Sequence, residues 1–184
     1  DEAADFDDGA GGTNLVSGAT GYMARYDRAG RLVWLRGIQG RGLTRMLVDE
    51  ARGALYATSE GTADITFGVG TPDAVTHPLA GAFVARFDLA TGALVWIRTI
   101  EGSNVRFTSL AVVGDELIAS ARVAGRGTFN LGAPDELVLN EPFVWSGNAR
   151  YDVDDGAFRG VIEYMQQGPV RSVDGLTDGL VIEP

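Results

Sequence analysis

The tetrapeptide Ala-Arg-aromatic-Asp returns three times in this chain of 184 residues, as Ala24-Arg25-Tyr26-Asp27, Ala85-Arg86-Phe87-Asp88 and Ala149-Arg150-Tyr151-Asp152. The aspartates stand 61 and 64 residues apart. Two other markers keep the period: Trp34 and Trp96 are 62 apart, and Phe6, Phe67 and Phe129 are 61 and 62 apart. Three kinds of landmark in one register define a repeat. A unit of this size cannot bury its apolar face alone, so a chain built this way must stack copies against one another.

Each unit reads as strands. In the second copy Phe83, Ala85 and Phe87 share one face and Val84 and Arg86 the other, the period of two that a pleated strand imposes. A tight turn follows every tetrapeptide. In Asp88-Leu89-Ala90-Thr91-Gly92 the aspartate accepts backbone N–H groups ahead of it, and the glycine takes the left-handed conformation that closes a hairpin. Asp27 to Gly30 is one residue shorter, and Asp152 to Gly156 repeats the longer form. Return strands are expected over 31–38, 93–100 and 157–165. A second hairpin then joins 44–49 to 55–59 and 107–113 to 117–121, and a last, weaker one is expected over 170–173 and 180–182. No convincing amphipathic helix longer than two turns is present. The twenty-six glycines, at twice the usual share of about 7%, suit a protein of many turns.

The count is about twelve strands, all-β, in four-stranded antiparallel blades of the β-propeller kind. One repeat domain covers 1–184: a half-blade hairpin at 20–38, blades at 43–100 and 106–165, and a half-blade hairpin at 170–184. The Ala-Arg-aromatic-Asp hairpin is expected to form the outer half of each blade. Propellers close with about four to eight blades. Three blades' worth does not close, so flanking blades or self-association are expected partners. The chain opens at Asp1 with neither methionine nor signal sequence, which reads as processing or excision from a longer protein.

The stretch 83–96, Phe-Val-Ala-Arg-Phe-Asp-x-x-Thr-Gly-x-x-x-Trp, preceded by Phe-Gly-x-Gly at 67–70, resembles the repeats of bacterial SBBP-type seven-bladed propellers. The shorter Asp88-x-x-Thr91-Gly92-x-x-x-Trp96 is similar to the tryptophan-docking motif of PQQ-type quinoprotein propellers and of outer-membrane assembly lipoproteins. The resemblance spans nearly the whole chain, and its motifs specify blades without specifying ligands. It implies a bacterial secreted, periplasmic or cell-surface protein. The chain departs from the pattern in its first copy, which lacks the threonine. The third copy departs further, with Gly160 at the tryptophan position and an expected break in the strand around Trp145 to Asn148.

Composition excludes some functions. A net charge of −10 opposes nucleic-acid binding, which needs clustered cations on the phosphates. All fifteen basic residues are arginine, which reads as the codon bias of a GC-rich genome. Without cysteine there is neither a disulfide nor a thiolate metal site. No apolar run approaches the roughly 18 residues of a membrane span.

The candidate sites reduce mostly to architecture. Trp34 and Trp96 are expected to pack between blades, with stacking on a sugar or quinone as the alternative. Arg25, Arg86 and Arg150 recur beside a turn aspartate, so salt-bridging or capping is the expected role and bidentate capture of an anion the alternative. The acidic runs at 5–9 and 152–156 lack the ligand spacing of a calcium loop. His77, the sole histidine, reads as a surface loop residue, and the glycines at 68 and 70 lack the Lys-Ser/Thr of a phosphate loop. The sequence thus assigns no catalytic, cofactor-binding or metal-binding residue. The expected function is a non-enzymatic binding or scaffold module presenting loops to protein or glycan. A fragment of a quinoprotein-like dehydrogenase and a purely structural surface-array repeat are the alternatives.

Overall fold

The computed structural model describes residues 4–6, 15–16, 18–61, 63–102, 104–129, 136–139 and 144–167. The hairpin expected over 170–184 lies outside them, as does most of the acidic run at 5–9. Sixteen strands occupy the described residues and no helix does. They are β1 (Ala4–Asp5), β2 (Leu15–Val16), β3 (Gly21–Tyr26), β4 (Leu32–Gln39), β5 (Arg45–Asp49), β6 (Ala54–Gly61), β7 (Ile65–Val69) and β8 (Val75–His77). The rest are β9 (Gly81–Asp88), β10 (Leu94–Glu101), β11 (Val105–Val113), β12 (Glu116–Ala124), β13 (Gly127–Phe129), β14 (Leu137–Leu139), β15 (Val144–Asp152) and β16 (Phe158–Gln167).

The protein is all-β, with three propeller-like antiparallel blades that are not closed into a barrel. Blade 1 runs β3-β4-β7-β8, blade 2 runs β14-β13-β10-β9-β6-β5 and blade 3 runs β11-β12-β15-β16. The sequence expectation did not include the short hairpins β7–β8 and β13–β14. Each lies in the chain between the two hairpins of its own repeat, yet pairs with the last strand of the blade before: β7 with β4, and β13 with β10. Blade 2 therefore has six strands, and its Ala-Arg-aromatic-Asp hairpin is central in the sheet instead of forming its outer half. The reason is the edge: β10 alone would present unpaired backbone groups, and the arm of the next repeat takes them up. His77, expected in a surface loop, ends β8 opposite Ile65 and is half-buried. Burial pushes its pKa below the usual value.

The phenylalanines of the repeat explain how the arms hold. Phe67, on the arm that extends blade 1, meets Phe83 and Phe87 of blade 2 edge-on at centroid distances of 5.6 and 5.2 Å. Phe129, on the arm that extends blade 2, meets Trp145 of blade 3 at 5.5 Å. The arm is hydrogen-bonded to one blade and packed by its aromatic ring against the next.

Blade 2 is buried on both faces, so its middle strands read as nearly continuous apolar runs. Leu55, Ala57, Phe83, Ala85 and Phe87 pack toward Met23 and Ile38 of blade 1. Ala54, Tyr56, Ala82 and Val84 pack toward Leu117, Ala119 and Ala149 of blade 3. The period-two reading of 83–87 holds. Blade 3 is buried on one side only: along β12 and β15 every second residue is buried. Its other face carries a polar ladder, Ser109 to Ser120 at 2.8 Å and Ser120 to Asn148 at 2.6 Å, flanked by an Arg150–Glu116 ion pair.

The break expected around Trp145 to Asn148 is absent, and β15 runs unbroken through it. Gly147 stands where the second copy has Phe83. A Cβ on Gly147 would lie 2.3 Å from Cζ2 of Trp145, so the indole fills the room that the missing side chain leaves. The local signal for disruption is a compensated exchange between neighbours on one face.

Candidate functional site

Each of the three repeated hairpins carries a bulge at the same place. On β10, Leu94 opposes Phe87 and Trp96 opposes Arg86, leaving Val95 as the extra residue. Val33 is the extra residue of β4 and Arg159 that of β16. A bulge resets which face each side chain takes. Leu94 and Trp96, two apart, would otherwise share a face. With Val95 inserted, Leu94 packs toward blade 1 and Trp96 toward blade 3.

The re-aimed indole docks on the turn of the following blade. Trp34 Nε1 donates to the Leu89 carbonyl at 2.9 Å, and Trp96 Nε1 to the Val153 carbonyl at 3.4 Å. The ring covers the turn glycine. A Cβ on Gly92 would lie 2.8 Å from Trp34, and one on Gly156 2.6 Å from Trp96. Both glycines have φ of +72°, so the left-handed turn and the close approach require glycine together. The arginine two residues on completes the contact. Arg36 donates from Nε and Nη2 to the Thr91 carbonyl at 3.2 and 3.0 Å, and Arg98 donates to the Gly156 and Asp155 carbonyls at 2.9 and 2.7 Å.

The tetrapeptide arginines serve the same joints. Arg25 donates to the Leu89 carbonyl at 2.7 Å and Arg86 to the Asp154 carbonyl at 3.1 Å. Arg150 turns back on its own blade, to the Arg159 carbonyl and to Glu116. These three guanidiniums are spent on structure and do not converge. The acidic turn at 152–156 is likewise occupied, because Asp152 accepts from the N–H groups of Asp154 and Asp155 and pairs with Arg159.

The turn aspartates are tuned by these bonds. The Thr91 hydroxyl and N–H, donating to Asp88 Oδ1 at 2.7 and 2.8 Å, hold its carboxyl below the usual carboxylate range. A carboxyl with a lowered folded-state pKa contributes stability above its unfolded value, and that stability is lost as pH falls through the folded one. Asp88→Asn keeps the acceptor oxygen and removes the charge. The variant should melt below the parent at neutral pH, with the gap closing as the pH falls beneath the carboxylate range. Circular-dichroism melts across a pH series measure it, and a gap independent of pH would contradict the assignment.

At the opposite end of blades 2 and 3 the strands diverge around a cleft of about 520 Å³. Gly61 and Gly81, paired across β6 and β9, line it without side chains. Arg41, Arg106 and Arg122 stand around it with Glu60. Among the described residues none of these three arginine side chains has a hydrogen-bond or ion-pair partner. The sequence reading missed this group because it sought what repeats. Glu60 and Arg122 occupy the same position of two successive copies with opposite charge, and that departure from the repeat was the available signal.

Among the described residues no three His, Asp or Glu side chains gather so as to hold a metal ion, and no helix is long and apolar enough to cross a membrane. No family model, no curated protein and no solved structure matches this chain.

Proposed function

We propose that the chain is a non-enzymatic binding module of a bacterial secreted or cell-envelope protein, of the SBBP-type propeller kind, and that its cleft takes an anionic group of a glycan or protein partner. The observation that supports this reading is the cleft itself. Three guanidiniums without partners among the described residues line it with one carboxylate, in a chain whose recurrent arginines are engaged in holding the blades together. Guanidinium forks suit carboxylate and sulfate groups because they offer two parallel donors. With a net charge of −10, the chain as a whole repels anions. Attraction therefore acts within the roughly 8–10 Å over which salt leaves charges unscreened, which favours a seated group over diffuse adhesion.

Titration with oligogalacturonate by calorimetry tests the reading, with a neutral oligosaccharide as control. Binding to the acidic oligomer should weaken about tenfold or more in an Arg106→Ala, Arg122→Ala variant, since hydrogen bonds to charged groups contribute about 1.5–3 kcal/mol. Oligoglutamate in the same cell distinguishes a glycan partner from a protein one. Failure of both acidic ligands to bind, or binding indifferent to the substitutions, would sink the proposal.

A further inference from the structure

Blade 1 repeats the receiving side of blade 2, and among the described residues only Phe6, which follows β1, packs on it, edge-on to Tyr22 at a centroid distance of 4.2 Å. Four observations coincide there. Phe83 and Phe87 of β9 are 0% exposed against blade 1, whereas Tyr22 and Tyr26, at the same positions of β3, are 56% and 47% exposed. Strand β9 lies between β6 and β10, while among the described residues β3 pairs with β4 alone, so its other edge is open. Gly92 and Gly156 lie under Trp34 and Trp96, but where Gly30, which closes the first turn at φ +80°, would carry a Cβ, no described residue other than its chain neighbours comes within 4 Å. Finally, β1 and β2 form a hairpin at the position of the arms β7–β8 and β13–β14, with no third strand beside it among the described residues.

We propose that this face of blade 1 seats a further blade of the same repeat, contributed by chain that precedes the β1–β2 hairpin. The seated blade carries a tryptophan and an arginine at the positions of Trp34 and Arg36. Its indole covers Gly30 and donates to the Arg28 carbonyl, the counterpart of Leu89 and Val153. The hairpin β1–β2 extends its last strand, and an inner hairpin like β5–β6 pairs with the open edge of β3. Connectivity fixes the source: in both complete joints the arm extends the blade whose repeated hairpin comes one repeat earlier in the chain. A second copy of this chain offers blade 3 instead. That blade has Gly160 where the indole is needed, Arg150 engaged by Glu116, and a Ser-Asn ladder in place of an apolar face. The outer faces of blades 1 and 3 differ in kind: that of blade 1 has the features that receive an indole, and that of blade 3 lacks the indole to offer. This inference rests on the joints between blades and is independent of the anion reading of the cleft.

The repeat period supplies the test. Residues 20–61, joined directly ahead of Asp1 in the full chain, stand in register, because Phe6 and Phe67 are 61 apart. In this fusion the amides of β3 should exchange about a hundredfold or more slowly than in the parent, since a free edge becomes a paired one. Trp34→Ala in the added copy alone should return β3 to fast exchange while β9 and β10 stay protected. Three results overturn the proposal. The amides of β3 remain fast in a fusion whose β9 and β10 are protected. The fusion loses protection of β9 and β10, so the array rejects the added repeat. Or the parent is a dimer in solution that protects β3 until Tyr22→Asp dissociates it, which assigns the face to a second copy.

Discussion

Trp96→Ala lowers the stability of the protein by roughly 3–5 kcal/mol, the cost of deleting a large buried aromatic side chain. The indole is 6% exposed and belongs to the core between blades 2 and 3. It touches Tyr56 on its own blade at a centroid distance of 6.1 Å and covers Gly156 on the next. Its removal opens a cavity at the joint and leaves the Val153 carbonyl without its indole donor. For a chain of this length each kcal/mol moves the melting temperature by about 2–4 °C, so the midpoint should fall by roughly 6–20 °C. Calorimetry measures it. A change within the range of ordinary surface substitutions, about 0.5 kcal/mol, would mean that the joint does not depend on the indole.

Gly156→Ala should cost roughly 2–5 kcal/mol, from two separable sources. Holding an L-residue in the left-handed region costs about 1–2 kcal/mol. Forcing a methyl group against Trp96, 2.6 Å from the ring, adds about 1–3 kcal/mol of overpacking. The second source disappears when the ring is gone. In the Trp96→Ala background the same substitution should cost the strain alone, and the cycle should give a coupling of about 1–3 kcal/mol. Urea melts of the four proteins provide the measurement, and additive costs would show that ring and glycine do not form one joint.

These joints were partly legible in the sequence. The spacing of Trp34 and Trp96 announced an inter-blade role because a period of 62 residues is a statement about equivalent places in stacked units. The aspartate and glycine of each turn were legible from local chemistry. Two features were not. The face that Trp96 takes depends on the extra residue Val95, and a valine inside a valine-rich strand looks the same bulged or regular. The partners of β7 and β13 lie one repeat back, beyond any local pattern, so no strand was expected around Phe67 or Phe129. Trp145 and Gly147 misled for the same reason. Each is odd alone, and only their contact makes them one filled position. The arginine cleft escaped because Arg41, Arg106 and Arg122 share no period.

The arms β7–β8 and β13–β14 put two periodicities out of phase. The unit that repeats along the sequence is an inner hairpin, an arm and a tetrapeptide hairpin, as in β5 to β10, yet no such unit contains a complete sheet. Blade 2 takes strands from either side of two copies, and its last hydrogen bonds come from residues that a cut at the copy boundary would discard. The unit of sequence is therefore not the unit that folds. An excised single copy would carry an arm without a sheet and a sheet without its arm, with β10 or its counterpart presenting a bare edge to any other chain in solution. Cooperativity follows from the same interleaving: melting one copy strips the margin of its neighbour, so loss of order spreads along the array instead of stopping at a boundary.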